Sequence, residues 1–155
     1  MKKIRNIRKV KKIIAIALAA LILLTACSES EIPPVDEIYR HIEESFKLPI
    51  MSDINGSRFG EYNINPDDTV DFIAKEAAIS AIFVQVIIIK AADGRVDEVR
   101  RAMLKQQASL SDAAFYPNAQ EAAASSIVGT KGNLVYLICH ADAVEIENIL
   151  LKFIS

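Results

Sequence analysis

IFVQVIIIK, residues 82–90, decides the fold. Six of its nine residues are β-branched, and apolar residues occupy both alternating sets of positions instead of one. A strand of this kind cannot leave either face in water, so it belongs in the middle of a sheet whose two sides are both covered. The stretch before it, DFIAKEA at 71–77, alternates only weakly and reads as a neighbouring strand. Ala91-Ala92-Asp93-Gly94 after it reads as a turn.

Beyond that turn, Val96, Val99, Met103, Gln107, Leu110 and Ala114 recur at steps of three and four. That spacing predicts a long amphipathic helix with Gln107 as the one break in its apolar stripe. Pro117 is expected to end it after Phe115 and Tyr116, and residues 120–126 are expected to add a helical turn. In SIVGTKGNLVYLICHA, residues 126–141, two apolar runs flank Thr130-Lys131-Gly132-Asn133. This is a hairpin signal, with Gly132 or Asn133 able to take positive φ. Asp142 is placed to cap a last helix whose Ile146, Ile149, Leu150 and Phe153 share a face.

Upstream, VDEIYRHIEESF sets Val35, Ile38, Ile42 and Phe46 on one helical face, and Pro49 stops that helix. Residues 48–69 are irregular, punctuated by Pro49, Asn55-Gly56, Gly60 and Pro66. A short extended piece is expected around Phe59–Ile64. Asn65 reads as an N-cap with Pro66 at the first helical position. The expected fold is therefore α+β in the order α-β-β-α-β-β-α: a four-stranded, mainly antiparallel sheet layered with helices. It is preceded by an N-terminal signal-peptide helix.

Charge divides the chain. Its 155 residues carry a net −2, yet the first twelve hold seven basic residues and no acid precedes Glu29. From Cys27 onward, eleven basic residues face all twenty acidic ones. That acidic portion is large enough to bury about two thirds of its unfolded surface without a metal or disulfide. It would repel the phosphates of nucleic acid.

Between these parts lies IIAIALAALILLTA, residues 13–26. At about 1.5 Å per residue this rises about 21 Å, short of the roughly 30 Å hydrocarbon core. It fits the apolar region of a secretory signal peptide. Leu24-Thr25-Ala26-Cys27 resembles the lipobox of bacterial lipoprotein signal peptides. The resemblance implies a diacylglyceryl group on the Cys27 thiol and cleavage between Ala26 and Cys27. Two acyl chains hold a protein firmly where one is marginal. The alternative is an uncleaved signal anchor with Cys27 incidental; either way residues from 28 onward lie outside the membrane. The chain then divides into a signal peptide (1–26), a lipidated tether (27–34) and a single extracytoplasmic domain (35–155), lipid-anchored at the cell membrane.

Tyr62-Asn63-Ile64, IIIKAADG at 87–94, Tyr116-Pro117, and Lys131-Gly132-Asn133 followed by LVYLI resemble, in order and spacing, the bacterial lipoprotein family catalogued as domain of unknown function 4358. The likeness spans about residues 60–140 and implies no activity. Two positions depart from it. Asn63 stands where glycine is expected, and Asn tolerates left-handed φ. Phe83 and Gln85 stand where an acid is expected to open the second strand.

No catalytic constellation is legible. Cys139 and His140 are adjacent, so on a strand they point to opposite faces and cannot bond to each other. His41 and His140 have no ligand-spaced partners. Asn63, Asn65 and Asp67 start like a calcium loop, but Asp68 and Ala74 occupy the positions of its glycine and closing glutamate. Gly129-Thr130-Lys131-Gly132 lacks phosphate-loop spacing. Asn55-Gly56-Ser57 reads as a turn. The sequence thus offers no catalytic, metal or cofactor-binding residue. It points to a non-enzymatic binding or accessory domain at the cell surface, with the membrane as partner through Cys27 and an envelope protein or small molecule as a further one. The alternative is a cell-envelope hydrolase whose site is assembled only by folding.

Overall fold

The structure is a computed structural model that describes residues 32–155. The expected signal peptide and the Ala26–Cys27 junction lie outside the described residues. The elements are α1 (Val35–Ser45), β1 (Met51–Asp53), two 3-10 turns (Gly56–Arg58 and Pro66–Asp68), β2 (Thr69–Ala77), β3 (Gln85–Ala91), α2 (Val96–Ala113), α3 (Pro117–Ala124), β4 (Ile127–Lys131), β5 (Leu134–Cys139) and α4 (Ala143–Phe153).

The five strands form one sheet in the order β1-β2-β3-β5-β4, every adjacent pair antiparallel. The residues of 82–90 that enter the sheet form its middle strand, as their two-sided apolar character requires. Val86, Ile87, Ile88 and Ile89 are wholly buried, and strand alternation sends them to two different cores. Val86 and Ile88 join Leu134, Tyr136 and Ile138 under α1 and α4. Ile87 and Ile89 join Val135 and Leu137 under α2 and the segment holding Ile54, Phe59, Tyr62 and Ile64. The architecture is thus three layers, with a helix pair on one face of the sheet and a helix plus an ordered loop on the other.

Local signals explain most of the boundaries. Asn65 caps the second 3-10 turn, its side chain accepting from the Asp67 N–H at 3.2 Å. Gly94 and Gly132 take φ of 73° and 57°, as their turns require, and Asn63 takes the left-handed value of 60°. The first N–H of α1 donates from Val35 to Asp71 Oδ2 at 3.2 Å. This carboxylate satisfies an orphan donor and pins the domain's start to the beginning of β2. Ile32, within the expected tether, is half-buried against the α1/α4 core.

Several expectations need correction. The sheet has five strands, not four, because β1 adds to the β2 edge; its three residues are too few for a periodic signal. Phe59–Ile64 is not extended. It is a series of tight turns that buries Phe59, Tyr62 and Ile64. Pro117 begins a further helix instead of only ending one, since proline is well suited to the first helical position. The buried glutamine of α2 is Gln106, not Gln107. Gln107 is half-buried and donates to Ser126 O at 2.7 Å. Asp142 stands at the N-cap of α4 without a side-chain capping bond.

Candidate functional site

The α2 side of the sheet opens at one end, where β2 finishes and β3 and the C-terminus of β5 meet it. Register places Gln85 directly opposite Cys139, and both point toward α2. Leu110, near the C-terminal end of α2, leans over the gap, and the β2–β3 connection supplies Ser80, Ile82 and Phe83. Together they enclose a cleft of about 360 Å³, within the size range of small-ligand sites.

Its lining mixes the polar side chains of Glu76, Ser80 and Gln85 with apolar ones. Gln85 is 4% exposed, and its Oε1 accepts from the equally buried Gln106 Nε2 at 3.1 Å. That bond orients the carboxamide and leaves the Gln85 Nε2 hydrogens for the cleft. On the opposite rim stands Glu76, whose two oxygens are engaged by Arg58 Nη1 at 2.7 Å and by the Tyr62 hydroxyl at 2.8 Å. Arg58 Nη2 also donates to the Tyr62 oxygen at 2.6 Å. Burial, then the Glu76 contact, pushes the Tyr62 phenol well above its ordinary value. Glu76 is therefore held in place by an ion pair on one oxygen and a hydrogen bond on the other.

Cys139 forms part of the floor. It is wholly buried, and desolvation pushes its thiol up to about 11. A thiol near 11 exposes about a thousandth of itself as thiolate at pH 8, and the thiolate is the reactive form. In a Cys27→Ala protein, disulfide reagents should label native Cys139 at least about a hundredfold more slowly than the denatured chain. Equal rates in ellman-type assays of native and denatured protein would show the floor to be open. His140 turns to the other face, as strand alternation requires. Its Nδ1 accepts from the Asp142 N–H at 2.9 Å, and Phe46 packs edge-on against its ring at 5.2 Å. His41 stacks on Phe153 at 4.4 Å.

Ile82, which lines the cleft, is one of several exposed large apolar residues near this end of the sheet. Ile50, Ile79, Ile82, Phe115 and Tyr116 are 38–82% exposed. They are brought to one end by Ala78 N–H donating to Ile50 O at 2.8 Å and by Asn118 Nδ2 donating to Ala81 O at 3.2 Å. The second bond ties the start of α3 to the β2–β3 connection. Phe83 packs inward against Ala114, Ala119 and Ala123.

The other sequence candidates do not converge here. Asn63, Asn65 and Asp67 form a turn and cap, and Gly129–Gly132 runs along β4 into its hairpin. Among the described residues no three His, Cys, Asp or Glu side chains are grouped to hold a metal. No helix among them is long and apolar enough to cross a membrane. The Gln85–Gln106 pair and the Arg58–Tyr62–Glu76 cluster were not legible as a site. The available signal was Gln85 itself, a lone amide inside an apolar β-branched run, which burial obliges to find a partner.

A protein-family description, Domain of unknown function (DUF4358), matches residues 51–140. The match runs from β1 to the residue after β5, so it contains the whole cleft and excludes both α1 and α4. Neither a curated protein nor a solved structure matches the chain.

Proposed function

The chain belongs to the DUF4358 family of unknown function, and from that premise we propose that it is a non-enzymatic binding domain acting through the cleft at the β2–β3 end. The supporting observation is the set of exposed apolar side chains near this end of the sheet. Among the described residues, five of the nine exposed large apolar side chains lie in the segments at this end, with Phe115 82% and Ile50 76% exposed. Contiguous exposed apolar surface marks an interaction site more often than chance. The engagement of both Glu76 oxygens by Arg58 and Tyr62 and the buried, raised thiol of Cys139 favour binding over hydrolysis.

The same proposal places the domain on the extracytoplasmic face of the cell membrane, held by lipid on Cys27 after removal of residues 1–26. Its support is the Leu24-Thr25-Ala26-Cys27 sequence behind a basic and apolar lead. Mass spectrometry of the protein from membranes should find a diacylated N-terminal Cys27. Cys27→Ala should shift the protein out of the anchored fraction. An unmodified thiol with the first 26 residues still attached would overturn the anchor. For the binding role, photo-crosslinkers at Ile79 and Tyr116 in intact cells should capture defined species that crosslinkers at Glu37 and Arg100, on remote surfaces, do not. Indistinguishable capture from both sets would count against the cleft.

A further inference from the structure

Away from the cleft, the β4 edge of the sheet is open. β4 ends the strand order, and among the described residues no strand pairs with its outer side. Its pairing with β5 fixes which groups face outward. Asn133 O accepts from the Ala91 N–H of β3 at 2.8 Å, so alternation turns the backbone of Leu134, Tyr136 and Ile138 toward β4. Their register partners are Lys131, Gly129 and Ile127. Val128 and Thr130 therefore aim both N–H and C=O away from the sheet. Ser126 O, the outward carbonyl before them, is already taken by Gln107 Nε2 at 2.7 Å. β4 lacks the features that blunt an edge: it has no proline, no bulge and no charge before Lys131.

Two helices border this edge, one on each face of the sheet, for α2 and α4 both pack over β4 and β5. Gln107 marks the flank of α2 that looks toward β4, and Leu104 shares that flank three residues earlier. Glu147 marks the corresponding flank of α4, because it accepts from Tyr136, the residue opposite Gly129. Val144 shares that flank three residues earlier. Phe153, which stacks on His41 of α1, lies on the other flank. Among the described residues Leu104 and Val144 are the exposed large apolar side chains carried by helices. Both border the same strand edge, from opposite faces.

A second copy of the chain fits this edge. Val128 and Thr130 lie symmetrically about Gly129. A two-fold axis at Gly129, normal to the sheet, sets Val128 of each copy opposite Thr130 of the other. Every outward donor and acceptor of both residues is then bonded, and the two glycines meet at the close, unbonded position. With strands about 4.8 Å apart, the two α2 helices and the two α4 helices come to about 10–12 Å, close to the 8–10 Å of packed helices. Leu104 and Val144 then face helices of the second copy instead of water. A lone extended peptide would satisfy the strand but bring no helix to cover them. The same axis keeps both α1/α4 layers on one side of the joined sheet. Ile32 packs in that layer, so the N-terminal ends of both copies enter from one side, as two chains anchored in one membrane require.

We infer that the chain forms a two-fold dimer through antiparallel pairing of β4 with β4, giving a continuous ten-stranded sheet flanked by paired α2 and paired α4 helices. The dimer does not depend on the cleft being a binding site.

The test uses the full chain in cell membranes. One tagged copy carries Val128→Cys, a differently tagged copy carries Thr130→Cys, and the membranes are mildly oxidised. The register puts these two Cα atoms about 5.5 Å apart, within disulfide reach. Two Val128 positions, or two Thr130 positions, lie about 8 Å apart, beyond that reach. The expected result is a disulfide joining the two tags, with at least about tenfold less linked dimer when either variant is produced alone. Adding Leu104→Lys and Val144→Lys to both copies should reduce the linked pair by at least about tenfold, because the dimer would bury those charges. Unchanged far-ultraviolet circular dichroism shows that the fold survives. If the lysine variant fails to fold, the contrast between mixed and single cysteine variants still decides. No linking in the mixed cells, or equal linking by a single variant, overturns the dimer. So does undiminished linking in a folded lysine variant. Linking only to other proteins also overturns it and assigns the edge to a partner's strand.

Discussion

Gly129→Ala should unfold this domain at a temperature lower by about 10–20 °C, from a loss of about 3–5 kcal/mol. The register places Gly129 opposite Tyr136, and the tyrosine ring lies over the glycine. A Cβ at 129 would overlap the Tyr136 ring and hydroxyl oxygen. Small overlaps with the tip of a flexible side chain are cheap to relieve, but this ring is not free to swing. Tyr136 is 2% exposed, packed under α1 and α4, and its hydroxyl donates to Glu147 Oε1 at 2.7 Å. Moving it breaks a hydrogen bond to a charged acceptor, itself worth about 1.5–3 kcal/mol, and disturbs the core that holds α4 on the sheet. The check is a double-mutant cycle with Tyr136→Leu, monitored by thermal unfolding. Tyr136→Leu should be less costly in the Gly129→Ala background than alone, because there it also relieves the clash. Strict additivity, or a Gly129→Ala loss of only a degree or two, would show that the ring does not confine position 129.

Alkaline conditions should produce a second large effect. Tyr39, Tyr62 and Tyr136 are all buried. Their phenols are all raised above the ordinary value, first by desolvation and then by a neighbouring carboxylate: Glu43, Glu76 and Glu147 respectively. The Tyr39 hydroxyl lies beside Glu43 without a well-formed hydrogen bond of its own. In the unfolded chain a tyrosine releases its proton near pH 10. The folded protein holds all three protons above that, so the unfolded state binds fewer protons and stability falls as pH rises. Below pH 10 both states are protonated and the stabilisation is fully present. Above it, each tyrosine removes about 1.4 kcal/mol per pH unit, and the three together about 4 kcal/mol per unit. Against a total stability of about 5–15 kcal/mol, cooperative unfolding follows within two or three units above pH 10. Phenolate absorbance at these positions should therefore rise together with loss of far-ultraviolet circular dichroism. Phenolate appearing for all four tyrosines near pH 10 with the secondary structure intact would overturn the assignment. Tyr62→Phe should also make the unfolding less steep in pH by one proton.

These two effects arise in different ways. The clash at Gly129 depends on which residue of β5 lies across from it, a matter of strand pairing. The tyrosine protonation depends on which carboxylates fold beside the phenols. Neither Glu147 nor Glu76 is near its tyrosine by any simple helical or strand spacing, being 11 and 14 residues away. The site shows the same dependence. Gln85 and Gln106 are 21 residues apart, and only the packing of α2 on β3 makes them a pair.

What the amino-acid order determined by itself was local and periodic. The two-sided apolar run at 86–89 could only be an inner strand, and the three-and-four spacing of Val35, Ile38 and Ile42 could only be a one-faced helix. The Lys131–Asn133 stretch announced a hairpin turn with Gly132 or Asn133 at positive φ, and Asn65 before Pro66 announced a capped start. The mixed α+β layering followed from those faces. Tertiary structure decided what had no period to read: the three-residue β1, the turns that bury Phe59 and Tyr62, the insertion of β5 between β3 and β4, and the cleft. A short edge strand and a packed loop owe their form to contacts with distant chain, and a cleft is the space left between elements. Such features exist only once the sheet has brought Glu76, Gln85, Leu110 and Cys139 to one end.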